Sequence, residues 1–104
     1  MQRVAFKMKL FKGKEEEYKK RHDEIWSELK DLLKQAGVKD YSIFLDGETN
    51  SLFGYLIIDG VNKLDELANK PVMQKWWAYM KDIMETNNDD SPVVVPLKEV
   101  FCLQ

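Results

Sequence analysis

Cysteine and histidine each occur once in these 104 residues, as Cys102 and His22. One thiol cannot build an internal disulfide framework, and one imidazole with dispersed acids is poor material for a metal centre. Neither a disulfide-stapled fold nor a bound metal is therefore expected. The five glycines are scattered at positions 13, 37, 47, 54 and 60. They form no phosphate-cradling loop, and no Gly-x-Ser-x-Gly elbow marks a nucleophilic serine. An excess of charge of one sign is also missing: 16 basic residues against 18 acidic ones leave −2. Nucleic acid is disfavoured as the main partner, because phosphate binding needs a net basic face. No apolar run approaches the roughly 18 residues of a membrane span. Met1-Gln2-Arg3-Val4 also lacks the apolar core of a signal peptide, so a cytoplasmic protein without a membrane partner is expected.

What is present reads as one domain over residues 1–104, with 44% hydrophobic and 33% charged residues. Residues 3–10 alternate, with Val4, Phe6, Met8 and Leu10 set against Arg3, Lys7 and Lys9, the pattern of a strand with one buried face. From Glu15 to Ala36 the spacing turns helical through Tyr18, His22, Ile25, Leu29, Leu32, Leu33 and Ala36, and Gly37 supplies a stop. Residues 40–46 and 52–58 alternate again on either side of the turn Asp46-Gly47-Glu48-Thr49-Asn50. A second helical region spans Val61 to Met84, interrupted by Pro71, and a final strand carries Leu97, Glu99, Phe101 and Leu103 on one side. The order β-α-β-β-α-β predicts an α+β, ferredoxin-like fold: a four-stranded antiparallel sheet with both helical layers on one face. Phe44, Phe53, Tyr55 and Ile57 make the other face apolar too, which predicts a homodimer through sheet faces.

His22 is the obvious candidate for chemistry, because only histidine has an unperturbed pKa near 6.5. Tyr18 lies one helical turn before it on the same face. A histidine satisfied by a buried hydrogen bond is the plain alternative, but the pair sits near the helix start, where a pocket forms more easily than in mid-core. Trp76 and Trp77 diverge by about 100° on a helix, so both cannot face the core. The one left over should line a cleft, an interface or a ligand, and flat aromatic walls with a few polar groups suit a sugar. Trp26, eight residues along from Tyr18, is a third candidate for that role, with core packing the favoured reading; Cys102 is read as a packed thiol, and Glu17 with Arg21 as a solvated surface pair.

The strings Glu17-Tyr18-Lys19-Lys20-Arg21-His22, Ile25-Trp26, Tyr41-Ser42-Ile43-Phe44-Leu45, Lys75-Trp76-Trp77-Ala78-Tyr79-Met80-Lys81-Asp82-Ile83-Met84, Ser91-Pro92-Val93 and Glu99-Val100-Phe101 run in order along nearly the whole chain. Taken together they resemble the L-rhamnose mutarotase family. The resemblance implies a dimeric α+β barrel and the cofactor-free interconversion of the α and β anomers of L-rhamnose in the cytoplasm. It implies that His22 is the catalytic proton donor and that Tyr18, Tyr41, Trp76 and Trp77 bind the sugar. The identity of a second acid/base is open between Asp90, a water and Tyr18. Three positions depart from the family pattern: Ser27 where a proline commonly follows Ile-Trp, Asp90 where an amide is usual, and Cys102 where bulkier residues are usual. A non-catalytic sugar-binding module and a dimeric α+β-barrel enzyme acting on another small molecule are the rival readings.

Overall fold

Three alternating segments and one short edge strand pair into a single antiparallel sheet. The computed structural model describes residues 1–60 and 63–103. Its elements are β1 (Gln2–Lys9), α1 (Glu15–Asp23), α2 (Ser27–Gln35), β2 (Val38–Asp46), β3 (Ser51–Ile58), α3 (Leu64–Leu67), α4 (Pro71–Met80) and β4 (Val95–Leu97). The sheet order is β2-β3-β1-β4, and every neighbouring pair runs antiparallel. The expected α+β architecture is therefore present.

Cross-strand partners share a face, so the register sorts the side chains. Phe6 opposes Gly54, Met8 opposes Leu52, and Tyr41, Ile43 and Leu45 oppose Leu56, Gly54 and Leu52. These residues face the helices, and the core joins Met8 and Leu52 to Tyr18 of α1, Leu29 of α2 and Met73, Trp76 and Met80 of α4. Removing each of the large apolar side chains, such as Leu29 or Leu52, from water contributes about 1.5–3 kcal/mol. The opposite face carries Phe44, Phe53 and Tyr55, exposed at 67%, 37% and 37%.

A β-bulge between Val38 and Asp40 gives β2 one residue more than β3 at that point. Val38 is buried against Leu56 and Ile58. With strict alternation, an inward Val38 would send Tyr41, Ile43 and Leu45 outward, because the side-chain period is two. The extra residue resets the phase and aims Tyr41 inward.

Gly54 has a different job. A Cβ there would come within 2.4 Å of the Phe6 ring, so the absence of a side chain lets Phe6 lie flat across β3. Phe6 in turn meets Tyr41 edge-on, with ring centroids 6.2 Å apart.

Four expectations need correction. The helix expected over 15–36 is two helices, parted at residues 24–26, where Trp26 adopts an extended conformation (φ −61°, ψ 135°) and caps α2. Packing of Trp26 against Trp76 and Tyr79 overrides the local helical spacing. Ser27 occupies the first position of α2, where a proline is equally acceptable because that N–H has no helical partner.

The second helical region divides into α3 and α4. Pro71 stands at the first turn of α4 and marks the expected interruption, while α4 ends at Met80 rather than at Met84. The expected start of that region at Val61 lies outside the described residues.

The last strand ends at Leu97, and Val100, Phe101 and Leu103 beyond it are 89%, 76% and 85% exposed. Their alternation has nothing among the described residues to bury against. Cys102, expected to be packed, is exposed for the same reason.

Replacing Gly54 by alanine isolates the Phe6 contact, because the backbone at Gly54 is not in the left-handed region. The displaced ring should lower stability by about 1–3 kcal/mol in urea melts. A variant as stable as the parent would show that Phe6 moves aside freely.

Candidate active site

The helical spacing of α1 places the rings of Tyr18 and His22 face to face, 4.2 Å apart between centroids and 27° from parallel. His22 Nδ1 lies 3.0 Å from the backbone carbonyl oxygen of Tyr18. A carbonyl only accepts, so Nδ1 carries the proton and donates it. In the neutral ring Nε2 therefore holds the free lone pair. Burial, the largest influence, lowers the His22 pKa from its ordinary 6.5, while the bond to the Tyr18 carbonyl and the charge of Asp23 oppose it more weakly.

α4 supplies the wall opposite. Trp76 meets His22 edge to face, with centroids 5.4 Å apart and planes at 89°. Trp26 packs on Trp76 at 5.1 Å, and Tyr79 closes the cluster at 5.6 Å from Trp26 and 5.7 Å from Trp76. Trp77, one position round the helix, is half-buried.

Between these helices and the sheet lies a cleft of about 1080 Å³ whose lining includes Tyr18, His22, Tyr41, Trp76, Trp77 and Asp90. That is the scale of a small-molecule site. The five residues that the family resemblance assigns to the sugar site thus border one cavity, while Trp26 packs behind Trp76 and is not in its lining. Trp76 is the buried member of the tryptophan pair and Trp77 the more open one, yet both border the cleft. Tyr41 is 38% exposed, and its open surface borders this cleft, where burial pushes the phenol up to about 12. Burial raises Tyr18 as well, with a smaller push from Tyr41. Both phenols therefore keep their protons at neutral pH and can donate hydrogen bonds.

Two features escaped the sequence reading or were read as something else. Phe6 forms part of the cleft lining beneath Tyr41, through a cross-strand glycine that only the register reveals. Arg21, read as half of a solvated pair with Glu17, is only 10% exposed along its side chain and reaches Asp82 beyond the end of α4. Asp82 is 61 residues away in sequence, a distance at which no spacing signal operates. Asp90, a departure noted above, has a left-handed backbone (φ 70°) and pairs with Lys81 at 3.5 Å. Among the described residues no group of three or more His, Cys, Asp or Glu could hold a metal ion. No described helix is long and apolar enough to cross a membrane.

A small α+β domain with one histidine on the wall of an aromatic cleft defines a class of small-molecule protein. Comparison with known proteins narrows it. The family described as L-rhamnose mutarotase matches residues 3–103. A protein of Formosa agariphila named L-rhamnose mutarotase is 53% identical over 104 residues, covering all of both chains. One from Mesorhizobium japonicum with the same name is 60% identical over 96% of this chain and 95% of its own. The crystal structure of L-rhamnose mutarotase from Formosa agariphila superposes with a TM-score of 0.93 at 52% identity, covering the whole of both chains. The chain belongs to the L-rhamnose mutarotase family.

As the sole imidazole in the chain, His22 can be titrated directly by proton NMR. Its midpoint should fall below 6.5, the direction that burial dictates. The folded state then binds this proton less tightly than the unfolded chain. His22 stability is complete above 6.5 and is lost as pH falls through the lower folded value. A midpoint above 6.5 would mean that the ring is solvated or paired with an acid.

Proposed function

We infer that this chain interconverts the α and β anomers of L-rhamnose by opening and reclosing the pyranose ring. The observation that carries the reading is His22: an imidazole with Nδ1 committed to the Tyr18 carbonyl, standing on the wall of an aromatic cleft. Membership of the family supports the identity of the sugar.

The geometry supports the following sequence of events. His22 Nε2 takes the proton from the anomeric hydroxyl, and the electrons left on O1 form the C1=O1 bond as the bond from C1 to the ring oxygen breaks. The imidazolium then gives its proton to the ring oxygen, so His22 is the donor to that atom after first acting as base. Rotation about C1–C2 presents the other face of the aldehyde, and the same steps in reverse close the ring. One proton moves and no electrons leave the sugar, so the reaction calls for no cofactor. Tyr18 and Tyr41, protonated at neutral pH, orient hydroxyls and donate to oxygens that gain charge. Trp76 and Trp77 offer flat apolar surface to the C–H face of the ring and to its methyl group.

The outer sheet face belongs to the same proposal. Phe44, Phe53 and Tyr55 form an exposed apolar patch, and the tail carries Val100, Phe101 and Leu103. A second copy of the chain covers this face about a two-fold axis, giving a homodimer through sheet faces. We place the protein in the cytoplasm, with residues 1–104 acting as one domain.

Saturation transfer between the two anomeric proton signals of equilibrated L-rhamnose tests the activity. Wild-type protein should carry saturation from one signal to the other, and folded His22→Asn should lose about 10²–10⁴ of that rate. Binding of rhamnose without faster exchange would favour the binding module, and full rate in His22→Asn would remove His22 from the chemistry. For the assembly, sedimentation should find a dimer at micromolar concentration and a monomer for Phe44→Glu. A monomeric wild type would refute the interface.

A further inference from the structure

We propose that Arg21 is a positioning residue, whose guanidinium locks α1 against the end of α4 and so sets where His22 stands over Trp76. The proposal rests on the reading of His22 as the acid–base group. Tyr18 is the one fully buried residue of α1, with Glu17, Arg21 and His22 half-buried, and no side chain caps the helix. A helix with one buried side chain can pivot about it, so hydrophobic packing alone leaves the direction of the neighbouring His22 ring loosely set.

Arg21 supplies the missing constraints. Nη1 donates to the backbone carbonyl of Tyr79 at 2.6 Å and to Asp82 Oδ1 at 2.8 Å, and Nη2 donates to Asp82 Oδ2 at 3.2 Å. Nε donates to Glu17 Oε2 at 2.7 Å. The guanidinium also lies over the Tyr79 ring, 4.5 Å from its centroid. A planar fork meets all these partners at once, which a lysine ammonium cannot do. The Tyr79 carbonyl is one of the last-turn carbonyls of α4, which carries no basic residue of its own there. Arg21 thus brings from α1 the positive charge that a helix C-terminus favours. Tyr79 touches Trp76, and Trp76 touches His22, so the clamp grips the same aromatic set at its far end. Asp82 is 65% exposed, and a pair so open adds little stability. Its geometric effect is the larger one.

Three variants test this: Arg21→Lys, Asp82→Asn and the control Lys20→Gln. For each, anomer exchange is followed against L-rhamnose concentration, and the His22 ring resonance is titrated. Arg21→Lys should lower the exchange rate at saturation by about tenfold, Asp82→Asn by less, with KM unchanged in both. In both, the His22 resonance should shift and its midpoint should rise toward 6.5 as the ring leaves the Trp76 wall. Loss of a negative charge in Asp82→Asn would by itself lower that midpoint, so a rise reads displacement rather than charge. Asp82 is exposed enough that Asp82→Asn folds even if Arg21→Lys does not. The proposal falls if Asp82→Asn keeps the wild-type rate and His22 titration, or if Lys20→Gln reproduces its changes. Should the wild type fail to exchange rhamnose anomers, the function assigned above fails, while the His22 resonance still decides whether the clamp positions the ring.

Discussion

The cleft depends on one contact between helices, the edge-to-face packing of His22 on Trp76. Each partner needs support from elsewhere. Trp76 is held by Trp26, which lies where the chain leaves the helical path at residues 24–26. The three residues between α1 and α2 interrupt the helix, and the aromatic packing of Trp26 there contributes about 0.5–1.5 kcal/mol per pair beyond burial. His22, on the other side, is held by its bond to the Tyr18 carbonyl and by the stack on the Tyr18 ring.

The sheet answers this helical wall through two local irregularities. The extra residue at the start of β2 turns Tyr41 inward, and the missing side chain at Gly54 lets Phe6 lie beneath it. A regular sheet with a side chain at each position would set Tyr41 outward and lift Phe6 into the cavity. Both departures concern single residues, and both serve the cavity rather than the core at large, as bulges beside binding sites do.

The fold was legible because its signals are local and repetitive. Alternation in β1, β2 and β3 and the helical stripe through Tyr18, His22 and Leu29 each repeat within a few residues. The candidates bordering the cleft were legible partly from residue chemistry and partly from the family resemblance. The parting of the first helix was not, since Ile25-Trp26-Ser27 carries neither proline nor glycine and the reward for breaking lies on α4. The role of Arg21 was hidden for a related reason: Glu17 is visible at helical spacing, but Asp82 and the Tyr79 carbonyl are neighbours only in space. The tail failed in the opposite sense. Leu97, Phe101 and Leu103 alternate as a strand should, but alternation records that a surface is to be covered and says nothing about which chain covers it.

The electrostatics of the cleft follow from the same packing. Aromatic walls withdraw water from His22, Tyr18 and Tyr41 alike, and withdrawal favours whichever form is uncharged. Histidine is thereby pushed down and the two phenols up, so that all three are neutral at pH 7. The charged residues that border the cleft, such as Glu15, Lys19, Asp23 and Asp40, are exposed, and only Asp90 among the acids is half-buried. A neutral interior inside a charged rim suits a substrate without charge. An ionised sugar derivative would meet desolvation with no buried counter-charge to offset it. Under the proposed mechanism such a site limits charge to the moment of reaction, when His22 holds the proton and a sugar oxygen holds the electron pair left behind. On that mechanism the fixed phenols and the Tyr18 carbonyl, already oriented, would stabilise the pair of charges without having to reorganise.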